Sequence, residues 1–246
     1  MKKKLLLAIL IPSVAIATLG VTAYFVVPKI IDYLNDHPFP PKVLPNKIHV
    51  ACIGDSITWG AGVWNQRHKA TYEVLLNEKL DDHYQVLNYG LNGRTLMDEA
   101  DYPYKKESFY TVSHEINAEK YIVMLGSNDS KDFNWPYAGD NGENFKRQLK
   151  EMLQSYINLP SNPEVIVMQP PKAFPIDGAI PWHINNDNIK NGVVPFVKQV
   201  GDELGIDVVN LYALTENNPE WFPDGVHPNK EGNAAIAEAL YQVINK

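Results

Sequence analysis

The run Ile48-His49-Val50-Ala51-Cys52-Ile53 breaks off at Gly54-Asp55-Ser56, and no other stretch limits the fold of this chain as tightly. Apolar residues followed at once by a glycine and two small polar ones make a strand that ends in a tight turn with a hydroxyl at its tip. The pattern recurs. Residues 84–89 run into Gly90-Leu91-Asn92-Gly93-Arg94-Thr95, and residues 121–125 run into Gly126-Ser127-Asn128-Asp129. Two more apolar runs, 164–168 and 207–209, bring the strands to five. Helical spacing fills the gaps at 70–80, 107–117, 144–157 and 188–204, the last interrupted at Pro195. Asn229 then reads as the N-cap of a closing helix with Ala235, Ile236, Ala239, Leu240 and Val243 along one face. Strands alternating with helices predict a mostly parallel sheet covered on both sides. Ligands of such sheets sit at the carboxyl ends of the strands, so the turns at Ser56, Gly93 and Asn128 are expected at one edge.

Asp55 and Ser56 have two readings, a helix cap or a reactive hydroxyl. The far end of the chain bears on the choice, because Asp224-Gly225-Val226-His227 offers a carboxylate and an imidazole three residues apart. A nucleophilic serine needs a base, and the base needs an orienting acid. The other histidines read differently. His37, His68, His83 and His114 lie in polar surroundings and are expected in solvent, whereas His183, beside Trp182 in the long loop just past the proline-rich stretch 169–181, is a candidate pocket residue. No histidine pair has metal-ligand spacing, so no metal and no cofactor is inferred. The single cysteine, Cys52, removes disulfides and cysteine zinc sites from consideration and is expected in the core.

Lys2, Lys3 and Lys4 precede a span from Leu5 to Pro28 without a charge. Its 24 residues suffice to cross a bilayer, and the lysines orient it with the folded part outside the cytoplasm. A cleaved signal ending near Ala15-Ile16-Ala17 is the alternative, and it would make the protein secreted. The organisation expected is an anchor or signal at 1–29, a spacer at 30–46 with four prolines between His37 and Pro45, and a catalytic domain at 47–246. Residues 1–29 hold four lysines and no acid, which leaves 18 basic against 29 acidic side chains, a net −11. So acidic a surface excludes nucleic acid as a partner and leaves the membrane to be met through the apolar span alone.

Four separated pieces, Gly54-Asp55-Ser56, Asn88 through Gly93 with Thr95, Gly126-Ser127-Asn128-Asp129, and Asp224 with His227, resemble in order and spacing the four blocks of the SGNH (GDSL-like) hydrolases. That resemblance, over residues 48–246, implies a flavodoxin-like three-layer α/β/α sandwich and an esterase. It implies Ser56 as nucleophile, His227 as base and Asp224 as the acid that orients it. It also implies an oxyanion hole of the Ser56 N–H, the Gly93 N–H and the Asn128 side-chain amide. Gly90 is the competing donor, and the spacing from Asn88 favours Gly93. Asp129 is expected to hold its loop rather than to react.

The resemblance spans lipases, thioesterases and carbohydrate deacetylases. Ser127 through Lys131 with Asn134-Trp135 is similar to bacterial sialate O-acetylesterase-like members, which implies an acetylated glycan as substrate. Trp59, Trp64, Phe133 and Trp135 follow two of the blocks closely and are candidates for a wall that stacks on sugar, with core packing as the alternative. A long apolar lid of the lipase kind is missing from 98–107, which is charged and rich in tyrosine. A third reading, a membrane-tethered glycan binder without catalysis, leaves a complete set of reactive residues without purpose.

Overall fold

The computed structural model describes residues 38–246, and the span expected to cross a membrane lies outside them. Among the described residues no helix is long and apolar enough to cross a membrane. The compact unit that holds the expected catalytic domain runs from Pro40 to Lys246. Its first residues, 40–44, are in neither helix nor strand, and side-chain hydrogen bonds tie them to Gln85. Gln85 receives the Leu44 N–H at 2.8 Å and gives its own amide to the Lys42 carbonyl at 2.8 Å.

Five strands form one sheet in the order β2-β1-β3-β4-β5, namely β1 (Ile48–Gly54), β2 (Tyr84–Gly90), β3 (Lys120–Met124), β4 (Glu164–Gln169) and β5 (Asp207–Asn210). Every pairing is parallel. This is the flavodoxin-like order, and its chain reversal falls between β1 and β3. The six principal helices are α1 (Ser56–Trp59), α2 (Tyr72–Lys79), α3 (Ser108–Glu115), α4 (Glu143–Ile157), α5 (Val194–Leu204) and α6 (Lys230–Ile244).

Side chains alternate across a strand, so each strand feeds two cores. Ala51, Ile53, Tyr121, Val123 and Val167 meet Phe109 of α3, Phe145, Leu149 and Leu153 of α4 and Val197 of α5. Val50, Cys52, Ile122, Met124 and Ile166 point the other way onto Tyr72 and Leu76 of α2 and Ile236 and Leu240 of α6. The result is helix, sheet and helix in three layers.

Three details depart from the sequence reading. Arg67–Ala70 is a helical turn of its own, and extended backbone at Thr71 (φ −76°, ψ 152°) delays α2 to Tyr72. The stretch before Pro195 is unbroken, because a π-helical turn at Ile189–Val193 leads into α5 and absorbs a proline that has no N–H to give. His114, expected in solvent, is half-buried against Tyr156 with ring centroids 4.2 Å apart, and burial pushes its pKa below the usual histidine value.

Candidate active site

Four connections at the carboxyl end of the sheet supply the site. Directly after β1, the buried Asp55 carboxylate accepts the Ile57 N–H at 2.9 Å and so caps α1. Both readings of this dipeptide therefore apply: Asp55 is the cap, and Ser56 opens the helix with its N–H among the orphan donors of a helix start. Burial pushes the Asp55 carboxyl up to about 6, while the Ile57 N–H and the neighbouring His227 pull it down.

The second piece is the turn before α6. Asp224 Oδ1 accepts the N–H groups of Val226 at 3.0 Å and His227 at 2.7 Å, which fixes the turn. Its other oxygen, Oδ2, lies 2.9 Å from His227 Nδ1. The tautomer this selects has Nδ1–H donating to Asp224 and leaves Nε2 to accept the Ser56 hydroxyl, 2.9 Å away. Burial works to raise the Asp224 carboxyl, but the hydrogen bonds and charge of His227 outweigh it and hold the acid below its ordinary value. Gly225, at φ +84°, lies where a Cβ would stand 2.4 Å from the Phe174 carbonyl, so only glycine lets the connection after β4 dock there. Phe174 N–H donates to the Gly225 carbonyl at 2.8 Å and seals the contact.

The third and fourth pieces are the turns after β2 and β3. Gly90 spends its N–H on Asn88 Oδ1 at 2.8 Å, and a Cβ on it would stand 2.2 Å from the Trp59 nitrogen. It serves close packing. Gly93 has φ +75° and open space where a Cβ would be, and among the described residues its N–H gives no hydrogen bond. Asn128 is buried and gives one amide hydrogen to the Arg94 carbonyl at 3.1 Å, which leaves a second hydrogen to donate. Asp129 holds these two turns together, its carboxylate accepting the Leu96 and Met97 N–H groups, each at 2.9 Å. Burial raises the Asp129 carboxyl to about 7 against those hydrogen bonds. A hydroxyl with a base and an acid in series, at the same sheet edge as free N–H donors, can attack a carbonyl and stabilise the oxyanion that follows.

The aromatic candidates separate. Trp59 is buried at the back of α1 with the Arg67 guanidinium 3.9 Å above its ring, so it is a core residue and no sugar wall. Trp64 is 70% exposed in a separate depression with Arg67, His68 and Glu73. Trp135 stacks on Phe196, with centroids 6.3 Å apart and planes 6° apart, and its ring edge fills the space left by Gly192. It is packing. Phe133 and His183 do face a common cleft, edge to face at 6.0 Å.

The residue the sequence reading passed over is Trp182. Its ring lies 4.7 Å from that of His227, edge to face, and it stays half-exposed. Trp182 (φ 54°) and His183 (φ 61°) are consecutive non-glycine residues in the left-handed region, each at a cost of roughly 1–2 kcal/mol. The available signal was the long proline-rich connection itself.

A doubly wound sheet with serine, histidine and acid in hydrogen-bonded series at its strand ends is the arrangement of acyl-transferring hydrolases. The chain belongs to the GDSL-like lipase/acylhydrolase family, whose model matches residues 52–235. That family is a class of ester-hydrolysing enzymes. It is similar to an acetylxylan esterase of Xylanibacter ruminicola, 29% identical over 231 residues, with 87% of this chain and 46% of that protein covered. The chain thus spans about half the length of that curated relative. Among solved structures it resembles Est24, a carbohydrate acetylesterase from Sinorhizobium meliloti, at a TM-score of 0.62 and 18% identity, covering 81% of this chain and 99% of that one. It also resembles the aryl esterase of M. smegmatis at a TM-score of 0.64 and 18% identity, covering 80% and 98%. At such identities the two structural likenesses speak for fold alone.

Proposed function

We propose that this chain is an extracytoplasmic serine esterase that removes acetyl groups from carbohydrate hydroxyls. The observation that carries the reading is the unbroken series Ser56 Oγ, His227 Nε2, His227 Nδ1 and Asp224 Oδ2, with 2.9 Å at each hydrogen bond. Ser56 attacks the acetyl carbonyl carbon while His227 takes its proton. The oxyanion is met by the N–H groups of Ser56 and Gly93 and the Asn128 amide. Collapse breaks the bond to the sugar oxygen, which leaves with the proton held on His227. A water then repeats the sequence on the acetyl-serine, releasing acetate and restoring the hydroxyl.

Acetate and sugar are supported by the acetylxylan esterase relative and by the polar lining of the cleft that holds His183 and Asn185. The lysines at 2–4 and the uncharged span behind them support a location outside the cytoplasm with a membrane tether. Chain length is the test. A small acyl site repels each added methylene, whereas an apolar groove gains up to about 0.8 kcal/mol from each. Hydrolysis of 4-nitrophenyl esters is expected to be fastest for acetate and to fall steeply by hexanoate. A rise from acetate to octanoate would replace this reading with a lipase or thioesterase.

A further inference from the structure

The proline-rich connection after β4 and the turn after Asn128 enclose an open cleft of about 400 Å³ lined by His183, and the residue before it, Trp182, lies against the ring of His227. We propose that this cleft is the subsite for the sugar that carries the ester and that it selects uncharged sugars over carboxylated ones. The inference rests on the esterase reading and adds the substrate class to it.

One wall is aromatic. Phe133, 53% exposed, lines the cleft, and Trp182, 52% exposed, stands next to the lining residue His183 with its ring against that of His227, so the cleft adjoins the base. Ring faces of this kind suit the C–H face of a pyranose. The floor is polar and rigid. Asn185 N–H donates to Ser130 Oγ at 3.2 Å, and Asn185 Nδ2 to Asp132 Oδ1 at 2.6 Å. Asn188 Nδ2 reaches the Ser130 carbonyl at 2.9 Å, so both sides of the cleft are fastened to the turn that bears Asn128. The left-handed backbone at Trp182 and His183 is what turns both rings outward from a connection that is otherwise docked on Gly225. Strain stored beside a reactive residue, in a segment so firmly held, marks a feature kept for function.

Charge supplies the selectivity. Asp132 and Asp187 are exposed in the lining, which contains no lysine or arginine. The ammonium of Lys131, 5.7 Å from the Phe133 ring centroid, is paired with Asp101 at 3.1 Å. A ligand carboxylate in the cleft would meet two like charges and no free partner, as a sialate or uronate must.

The test uses the full chain and three substrates: 4-nitrophenyl acetate, an acetylated neutral xyloside and the matching acetylated glucuronoside. The ratio of kcat/KM for neutral over carboxylated sugar is expected to be about tenfold or more at low ionic strength and to shrink in 1 M salt. Asp132→Asn with Asp187→Asn, which keeps the oxygen that Asn185 bonds, should cut that ratio severalfold. Phe133→Ala should raise KM for the xyloside more than for 4-nitrophenyl acetate. Equal use of both sugars, with a ratio untouched by the double substitution, overturns the subsite while hydrolysis of 4-nitrophenyl acetate leaves the esterase standing. Failure on all three substrates overturns both.

Discussion

Asp224 accepts three hydrogen bonds on two oxygens, and in the proposed mechanism this one residue orients the base. Asp224→Asn presents an amide to His227 and favours the wrong tautomer, so kcat on 4-nitrophenyl acetate is expected to fall by roughly 10³–10⁴ with little change in melting temperature. The depressed acid stays ionised through mild acid, and the sign of its effect follows: a carboxyl lowered by folding contributes stability above its unfolded value that is lost only as pH falls through the folded one. Asn128→Ala removes one oxyanion donor and should cost on the order of 100-fold in kcat with KM little changed. These residues were legible in the sequence, Asn128 because it follows an apolar run beside Gly126 and Ser127, and Asp224 because it stands three residues before His227. Trp182 was not, since nothing in its neighbours says that backbone at positive φ will turn its ring toward a histidine 45 positions on.

At the scale of elements, Glu73 of α2 ties the nucleophile's turn to β2. Its Oε1 accepts Thr71 Oγ1 and Asn88 Nδ2, each at 2.6 Å, and Asn88 in turn donates to the Thr58 carbonyl at 2.7 Å. Its other oxygen is buried and unpartnered, and burial raises the carboxyl to about 7 against the hydrogen bonds from Thr71 and Asn88. A raised acid holds its proton more tightly folded than unfolded, so its contribution is full below an unfolded pKa of about 4.3 and is lost as pH rises through the folded value. Glu73→Gln keeps the acceptor and removes the ionisation. Urea unfolding should find it more stable than wild type at pH 8, by on the order of 3 kcal/mol, and equal to it near pH 4. A gap that stays constant with pH would show that ionisation of Glu73 has no part in it. Strand positions were readable because apolar runs are short and end in glycine. The helix starts were less so: the break at Thr71 and the π turn before Pro195 answer to packing on α6 and on Trp135, which no local pattern carries.

For the whole molecule, strand order decides what the separate blocks can do. The reversal between β1 and β3 opens a crevice at the ends of those two strands, and Ser56 and Asn128 follow them directly. β2 at the sheet edge brings Gly93, and the turn before α6 returns His227, 171 residues along the chain, to hydrogen-bond distance of the serine. The parallel sheet was foreseeable from the alternation of strands and helices and its flavodoxin-like order from the resemblance of the four blocks, whereas the placement of most of the aromatic residues was not. Trp59 and Trp135 stand near the blocks in sequence, but the helical turns they occupy aim them at Arg67 and Phe196. All of this converges on one hydroxyl. The most direct measurement is covalent: react the full chain with a 4-nitrophenyl phosphonate, follow the loss of esterase activity, and map the adduct by peptide mass. The expected result is one equivalent bound, on Ser56, with activity lost in proportion and neither labelling nor appreciable hydrolysis in Ser56→Ala. An adduct on another residue, or a Ser56→Ala chain that hydrolyses 4-nitrophenyl acetate within tenfold of wild type, would contradict it.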